Sequence, residues 1–203
     1  MAYDLLVKNG TVVDGSGSPG YRADVGIIDG KIAAIGRINE GAKQTIDADG
    51  HIVSPGFVDG HTHMDAQIFW DPIGSCSCYH GVTSVVMGNC GFTLAPCKQE
   101  DADMVFRNLE RAEDLSRDAM LEGIDWRWET FPEFLDVIDE LPKGINYAGY
   151  IGHSALRTYV MGERAFSDAA SEDDVRNMQQ LVKQAVQAGA IGFSTSRTFN
   201  HLT

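Results

Sequence analysis

The feature that most constrains this chain is a change of pattern at Ser54-Pro55-Gly56. Before it, short β-branched runs are separated by glycine turns. After it, strand-like runs alternate with helical ones. The first pattern belongs to a small all-β module and the second to βα units around a parallel sheet. In the first part Asp4–Val7, Thr11–Val13, Asp24–Ile28, Lys31–Ile35, Gln44–Asp47 and His51–Val53 read as strands. Asp29-Gly30, between two apolar runs, is the signal of a two-residue type I′ hairpin. Asp14-Gly15-Ser16-Gly17 reads as a flexible turn, since its glycines lie outside the strand-then-helix context of a phosphate cradle.

In the second part the strand-like runs are Gly56–His63, Thr83–Gly88, Ile145–Ile151 and Ala190–Ser194. Two helices are signalled by their starts. Thr130 with Glu133 makes a capping-box pattern, with Pro132 in the first turn, ahead of Phe134, Leu135, Val137, Ile138 and Leu141. Ser171 with Asp174 repeats it before Val175, Met178, Leu181, Val182 and Ala185, which share one face, and Gly189 stops that helix. Between them lies an acidic, Met- and Trp-containing segment, residues 91–130, with a helix expected near 101–115. Insertions after strands in α/β proteins often cover a ligand site. A plain surface excursion fits the composition equally well.

Side chains alternate along a strand, so His61 and His63 are expected on one side, as a pair of nitrogen donors for Zn²⁺ or a similar ion. Asp59 and Asp65 flank them, and carboxylates of this kind orient ligating histidines. Asp59 alternates with the histidines in a way that suits orientation more than proton transfer. His61 and His63, Cys90, His153 and Ser194 each close a predicted strand at its C-terminal side, the edge where ligands gather in parallel α/β folds. Taken alone, Cys90 reads as a small buried hydrophobe, with a thiolate ligand as the alternative. His153 faces the same mouth, as a substrate-side or outer-shell group. Cys76, Cys78 and Cys97 are expected to be packing or loop thiols. His51 and His80 are expected to be structural or exposed, and His201 sits at the terminus.

The formal net charge of −13 argues against nucleic acid or an anionic membrane as partner, because both need clustered Lys and Arg. There is no apolar run of membrane-spanning length. The start enters a strand without a basic n-region, unlike a signal peptide. The four cysteines fall within one short segment, unlike a disulfide framework, and suggest reduced thiols in a cytoplasmic protein.

The run Pro55-Gly56-Phe57-Val58-Asp59-Gly60-His61-Thr62-His63, after a β module containing Val7-Lys8-Asn9-Gly10 and Asp29-Gly30-Lys31-Ile32, resembles the metal-dependent amidohydrolase superfamily. The run from Gly81 to Gly91, ending Asn89-Cys90-Gly91, is similar to its N-acyl-D-amino-acid deacylase (D-aminoacylase) branch. Gly152-His153-Ser154 and the run Gly189–Thr195 are similar to that branch too. The resemblance implies a small β-sandwich module at 1–54 and, at 55–203, the first half of a (β/α)₈ TIM-type barrel. It implies His61, His63 and Cys90 as ligands of one or two Zn²⁺ ions, with Asp59 and His153 as substrate-side or outer-shell groups. The implied activity is zinc-dependent hydrolysis of the amide bond of N-acyl-D-amino acids, small-molecule substrates.

Members of that branch run to more than twice this length. Their later part carries two further histidine ligands and the aspartate that acts as general base. The resemblance therefore places the base beyond Thr203, and residues 1–203 alone are expected to be incompetent. A completing C-terminal segment or a homo-oligomeric partner is expected to cover the open sheet edge. Two alternatives stand beside this reading. One is a cyclic-amide hydrolase of the hydantoinase or dihydroorotase type. Those enzymes bridge two metals with a modified lysine from the fourth strand, which Ala190–Thr195 lacks. The other is a non-catalytic assembly subunit.

Overall fold

A computed structural model describes residues 2–197, apart from the side chain of Ala112; His201 lies outside the described residues. The chain divides into two compact units after Gly56. Among the described residues the first unit is a five-stranded mixed sheet. It comprises β1 (Tyr3–Val12), β2 (Tyr21–Ile28), β3 (Lys31–Gly36), β4 (Ala42–Asp47) and β5 (Ile52–Val53). The order is β3-β2-β1-β4, and β5 pairs with β1 beyond β4. Neighbours β1, β2 and β3 run antiparallel, whereas β4 and β5 run parallel to β1.

Asp4–Val7 and Thr11–Val13, expected as two strands, are one. A bulge between Val7 and Gly10 lets β1 run through. Asn9 takes a φ of 62° there, and its N–H donates to Asp24 Oδ1 at 2.9 Å. The extra residue is absorbed by that side-chain acceptor instead of ending the strand. At the hairpin, Asp29 and Gly30 have φ values of 49° and 71°, as a type I′ turn requires.

The second unit contains β6 (Phe57–Asp59), α1 (Ser75–Cys78), β7 (Val82–Met87), α2 (Ala102–Glu113), α3 (Arg117–Gly123) and α4 (Phe131–Glu140). It continues with β8 (Asn146–Gly152), α5 (His153–Met161), α6 (Glu172–Ala188) and β9 (Gly192–Ser194). The strands form a parallel sheet in the order β6-β7-β8-β9. Sequential strands are spatial neighbours, and helices fill the connections, so this unit is an α/β fold. Both capping boxes form. Thr130 Oγ1 accepts from Glu133 N at 3.4 Å while Glu133 Oε2 accepts from Thr130 N at 2.8 Å. Ser171 Oγ accepts from Asp174 N at 3.1 Å while Asp174 Oδ2 accepts from Ser171 N at 2.9 Å.

Segment 91–130 is no surface excursion. Leu109 and Met120 are fully buried, and Phe106 and Trp128 nearly so. Trp128 stacks on Trp126 with centroids 4.4 Å apart and on Phe69 at 5.1 Å, while its Nε1 donates to Leu94 O at 2.8 Å. That bond satisfies the one polar atom the ring brings into the core. The segment thereby extends the layer built by Ile68, Leu94, Phe134, Ile151 and Leu156.

Asp174 joins α6 to the turn before it. Besides Ser171, it accepts from both Arg164 amino groups, at 3.2 and 2.9 Å. The Arg164 guanidinium, followed by Ser171, holds the Asp174 carboxyl well below the usual carboxylate range. A carboxylate depressed on folding stabilises fully above its unfolded pKa of about 3.9 and loses that contribution as pH falls through it toward the folded value. Asp174→Asn in the full-length protein is therefore expected to lower the urea midpoint at about pH 6, with the gap from wild type closing as pH falls below about 4. A gap that stays constant with pH would show that the charge of Asp174 contributes nothing.

Candidate metal centre

Cys90 sits in a turn that the surrounding chain forces into shape. β7 ends at Met87, and Gly88 follows at φ 75°. A Cβ on Gly88 would collide with the carbonyl oxygen of Tyr150, so only glycine lets the turn pass so close to β8. Gly152 meets the carbonyl of Gly91 in the same way from the other side. Between them Cys90 itself adopts φ 55°, ψ 12°. A left-handed conformation at a residue with a Cβ costs about 1–3 kcal/mol and persists only where its surroundings over-determine it.

The surroundings do so from three elements. Asn89 Nδ2 donates to Thr62 O at 3.1 Å and to Val86 O at 2.9 Å. Asp65 Oδ2 accepts from Gly88 N at 3.0 Å. Ser194, at the end of β9, accepts from Gly91 N through Oγ at 3.0 Å and donates to Gly88 O.

The histidine pair reaches the same point by a route different from the one expected. β6 ends at Asp59, so His61 and His63 lie past the strand and not on it. Thr62 keeps this segment alongside β7, donating to Val86 O through its backbone N–H at 2.9 Å and its hydroxyl at 2.8 Å. The two imidazoles lie with centroids 5.5 Å apart. Asp59 Oδ1 accepts from the backbone N–H of His61 at 3.2 Å, which orients the loop and not the ring.

His61 Nε2 lies 3.4 Å from Cys90 Sγ, and the ligand atoms of His61, His63 and Cys90 all fall within 4.8 Å of one another. A tetrahedral Zn²⁺ with Zn–N of about 2.0–2.1 Å and Zn–S of about 2.3 Å places neighbouring ligands roughly 3.3–3.6 Å apart. The His61–Cys90 separation matches that edge, and a nitrogen and thiolate donor set suits zinc. Burial first, and then the charge of Glu113, push the Cys90 thiol pKa up.

The other predicted residues fall nearby but outside this trio. Asp65 is fully buried, and burial pushes its carboxyl up to about 7 against the hydrogen bond from Gly88. It braces the Cys90 turn, where orientation of a histidine was expected. His153 opens α5, half-buried, with Nδ1 3.3 Å from Thr195 Oγ1. Burial, followed by Arg157 and Arg197, lowers its pKa and favours the neutral ring. A Cβ placed on Gly91 would sit 3.6 Å from His153 Cβ, so this residue borders the Cys90 turn. Sequence reasoning passed over Glu113, whose Oε1 lies 3.3 Å from His63 Nε2. It also read Asn89 only as part of a motif.

The remaining thiols are elsewhere. Cys97 is buried, with its pKa pushed up to about 12 by burial and then by Asp101 and Glu129. Cys76 is exposed and Cys78 half-buried, and all four cysteines are free thiols. His51 and His80 are exposed. Cys90→Ala in the full-length protein is expected to strip zinc from this centre, measured by elemental analysis after dialysis. Cys97→Ala should keep its zinc while losing some stability. Equal loss in both variants would mean that the metal, or the fold, depends on the wrong thiol.

Comparison with known proteins supplies the wider setting. Residues 44–203 match the model of the amidohydrolase family. A D-aminoacylase of Alcaligenes xylosoxydans xylosoxydans is 38% identical over 194 residues, covering 95% of this chain and 37% of that protein. A solved D-aminoacylase with a binuclear metal centre superposes with a TM-score of 0.80 at 36% identity, covering 95% of this chain and 38% of that one. An N-acyl-D-glutamate deacylase of Bordetella bronchiseptica, solved with zinc and a phosphonate mimic of the tetrahedral intermediate, gives a TM-score of 0.80 at 32% identity, covering 96% and 38%. The chain thus spans under two fifths of the length of these three relatives.

Proposed function

The chain belongs to the amidohydrolase family, and from that membership we propose that it carries the first metal ligands of a zinc-dependent N-acyl-D-amino-acid deacylase. The observation that carries this reading is the approach of Cys90 Sγ to His61 Nε2, at 3.4 Å, inside a cluster completed by His63. The likeness to the D-aminoacylase and to the zinc-bound deacylase supports it. His61, His63 and Cys90 hold one or two Zn²⁺ ions, and the substrate is a small N-acyl amino acid. The ion, when bound, supplies Lewis acidity toward the amide carbonyl and toward water.

The chain's own residues do the positioning. Thr62 and Asn89 fix the donors relative to each other across two loops. Asp59 sets the backbone of His61, and His153, kept neutral, stands beside the Cys90 turn as a substrate-side hydrogen-bonding group. The net reaction adds water across the C–N bond to give a carboxylate and a free amine. The proton that the leaving amine needs is delivered by an aspartate expected beyond Thr203.

We place residues 1–54 as a small β-sandwich module and 55–203 as the first half of a (β/α)₈ TIM-type barrel. The parallel order β6-β7-β8-β9 supports the barrel, as do the exposed apolar side chains of Phe57, Val58, Ile191 and Phe193 on or beside its outer strands. A further segment, or a second copy, covers those strands in the whole protein. Free thiols in the 76–97 segment suit a reducing cytoplasm. No helix among the described residues is long and apolar enough to cross a membrane.

Incubating the full-length protein with N-acetyl-D- and N-acetyl-L-amino acids should release free D-amino acid preferentially, followed by chiral chromatography. Chelation should abolish the release, and Zn²⁺ should restore it. Ring opening of hydantoin or dihydropyrimidine without any deacylation would overturn this function and favour a cyclic-amide hydrolase.

A further inference from the structure

The long insertion between β7 and α4 delivers one carboxylate to the candidate metal centre. Glu113 is the last residue of α2, and Asp114 after it turns the chain away at φ 54°. Its neighbours Glu110 and Asp114 serve local structure: Glu110 Oε1 accepts from Arg117 N at 3.3 Å, and Asp114 N–H closes the helix on Glu110 O at 3.1 Å. Glu113 instead points inward. Its Oε1 lies 3.3 Å from His63 Nε2, with the two side chains only 20% and 16% exposed. A carboxylate held this way against a histidine is far from the fluctuating surface ion pairs that contribute little.

We propose that Glu113 is a positioning residue of the metal centre: its carboxylate fixes the ring of His63 and adds the negative charge that favours a bound dication. A carboxylate on the nitrogen that does not bind the ion sets the ring's orientation and raises its basicity, so Nε2 facing Glu113 leaves the buried Nδ1 of His63 for the ion. The partly buried setting strengthens the attraction to a dication relative to water. The insertion then has two jobs. Leu109, Met120 and Trp128 anchor it in the core, and Glu113 is presented from that anchored helix with little freedom to wander. This inference rests on His61, His63 and Cys90 being ligands.

The test is a Cd²⁺ titration of the full-length protein, followed by the ultraviolet thiolate-to-metal charge-transfer band of Cys90. The melting temperature of the metal-free protein is measured alongside. Glu113→Ala should weaken Cd²⁺ binding by about 10–100-fold, with the metal-free melting temperature unchanged. Glu113→Gln, which keeps a hydrogen-bond acceptor but not the charge, should fall between the variant and wild type. Binding within twofold of wild type in Glu113→Ala overturns the proposal. So does a fall in metal-free melting temperature that accompanies the weaker binding, since Glu113 would then be structural. Equal loss in both variants would leave nothing to the hydrogen bond on His63 and would overturn the positioning role. A wild-type protein that shows no charge-transfer band fails at the earlier step, the ligand assignment of Cys90.

Discussion

The candidate centre depends on the clamp around one left-handed cysteine. Cys90 has no intrinsic reason to sit at φ 55°, and a strained residue of this kind relaxes unless something holds it. Ser194 holds the turn from one side, and Asn89 and Asp65 hold it from the other. The result is that the thiol sulfur is aimed at His61 instead of following the direction of the strand. Strain at a ligand is a way of storing geometry: the sulfur is placed before any ion arrives, so less reorganisation is needed when one binds.

The electrostatics push in one direction. Asp65 and Glu113 lie close to the trio, and the buried setting makes a second or third negative charge unwelcome without a cation. Burial and Glu113 together favour the protonated thiol at Cys90. A dication bound there would offset that repulsion while displacing the thiol proton. The neutral His153 beside the Cys90 turn adds no positive charge to compete.

Much of this was legible in the chain. The two capping boxes and the Asp29-Gly30 hairpin are local chemistry, with donor and acceptor a few residues apart, and they formed as read. The positions of β2, β3, β7 and β8 followed from their apolar runs. Elements whose reasons are tertiary were not legible. α5 begins at His153 without any side-chain cap, so its start carries no local signal. β1 looked broken at Asn9 because the acceptor that rescues the bulge, Asp24, lies on another strand. The His-x-His spacing placed the two rings on one side for a reason that does not apply, since they lie past β6 in a segment that Thr62 ties to β7. Glu113 was invisible for a similar cause. Nothing distinguishes it in sequence from Glu110 or Asp114, and only the docking of α2 singles it out.

Ser194 reaches its partners across more than a hundred positions, with Gly91 and Gly88 lying 103 and 106 residues earlier. Closing so long a span is slow, because chain entropy is lost before the contact repays it. The donors therefore acquire their spacing in two stages. Thr62 lies between the two histidines in sequence, and the bond that ties Asn89 to it spans only 27 residues, so these contacts can form early. The hydroxyl that secures Gly88 and Gly91 arrives only after β9 has been made and has paired with β8. A ribosome moving at about 5–20 residues per second separates those events by roughly 5–20 s. During that interval Cys90 is an under-restrained thiol on a growing chain, and ion capture before β9 docks would select looser geometries than the finished fold allows.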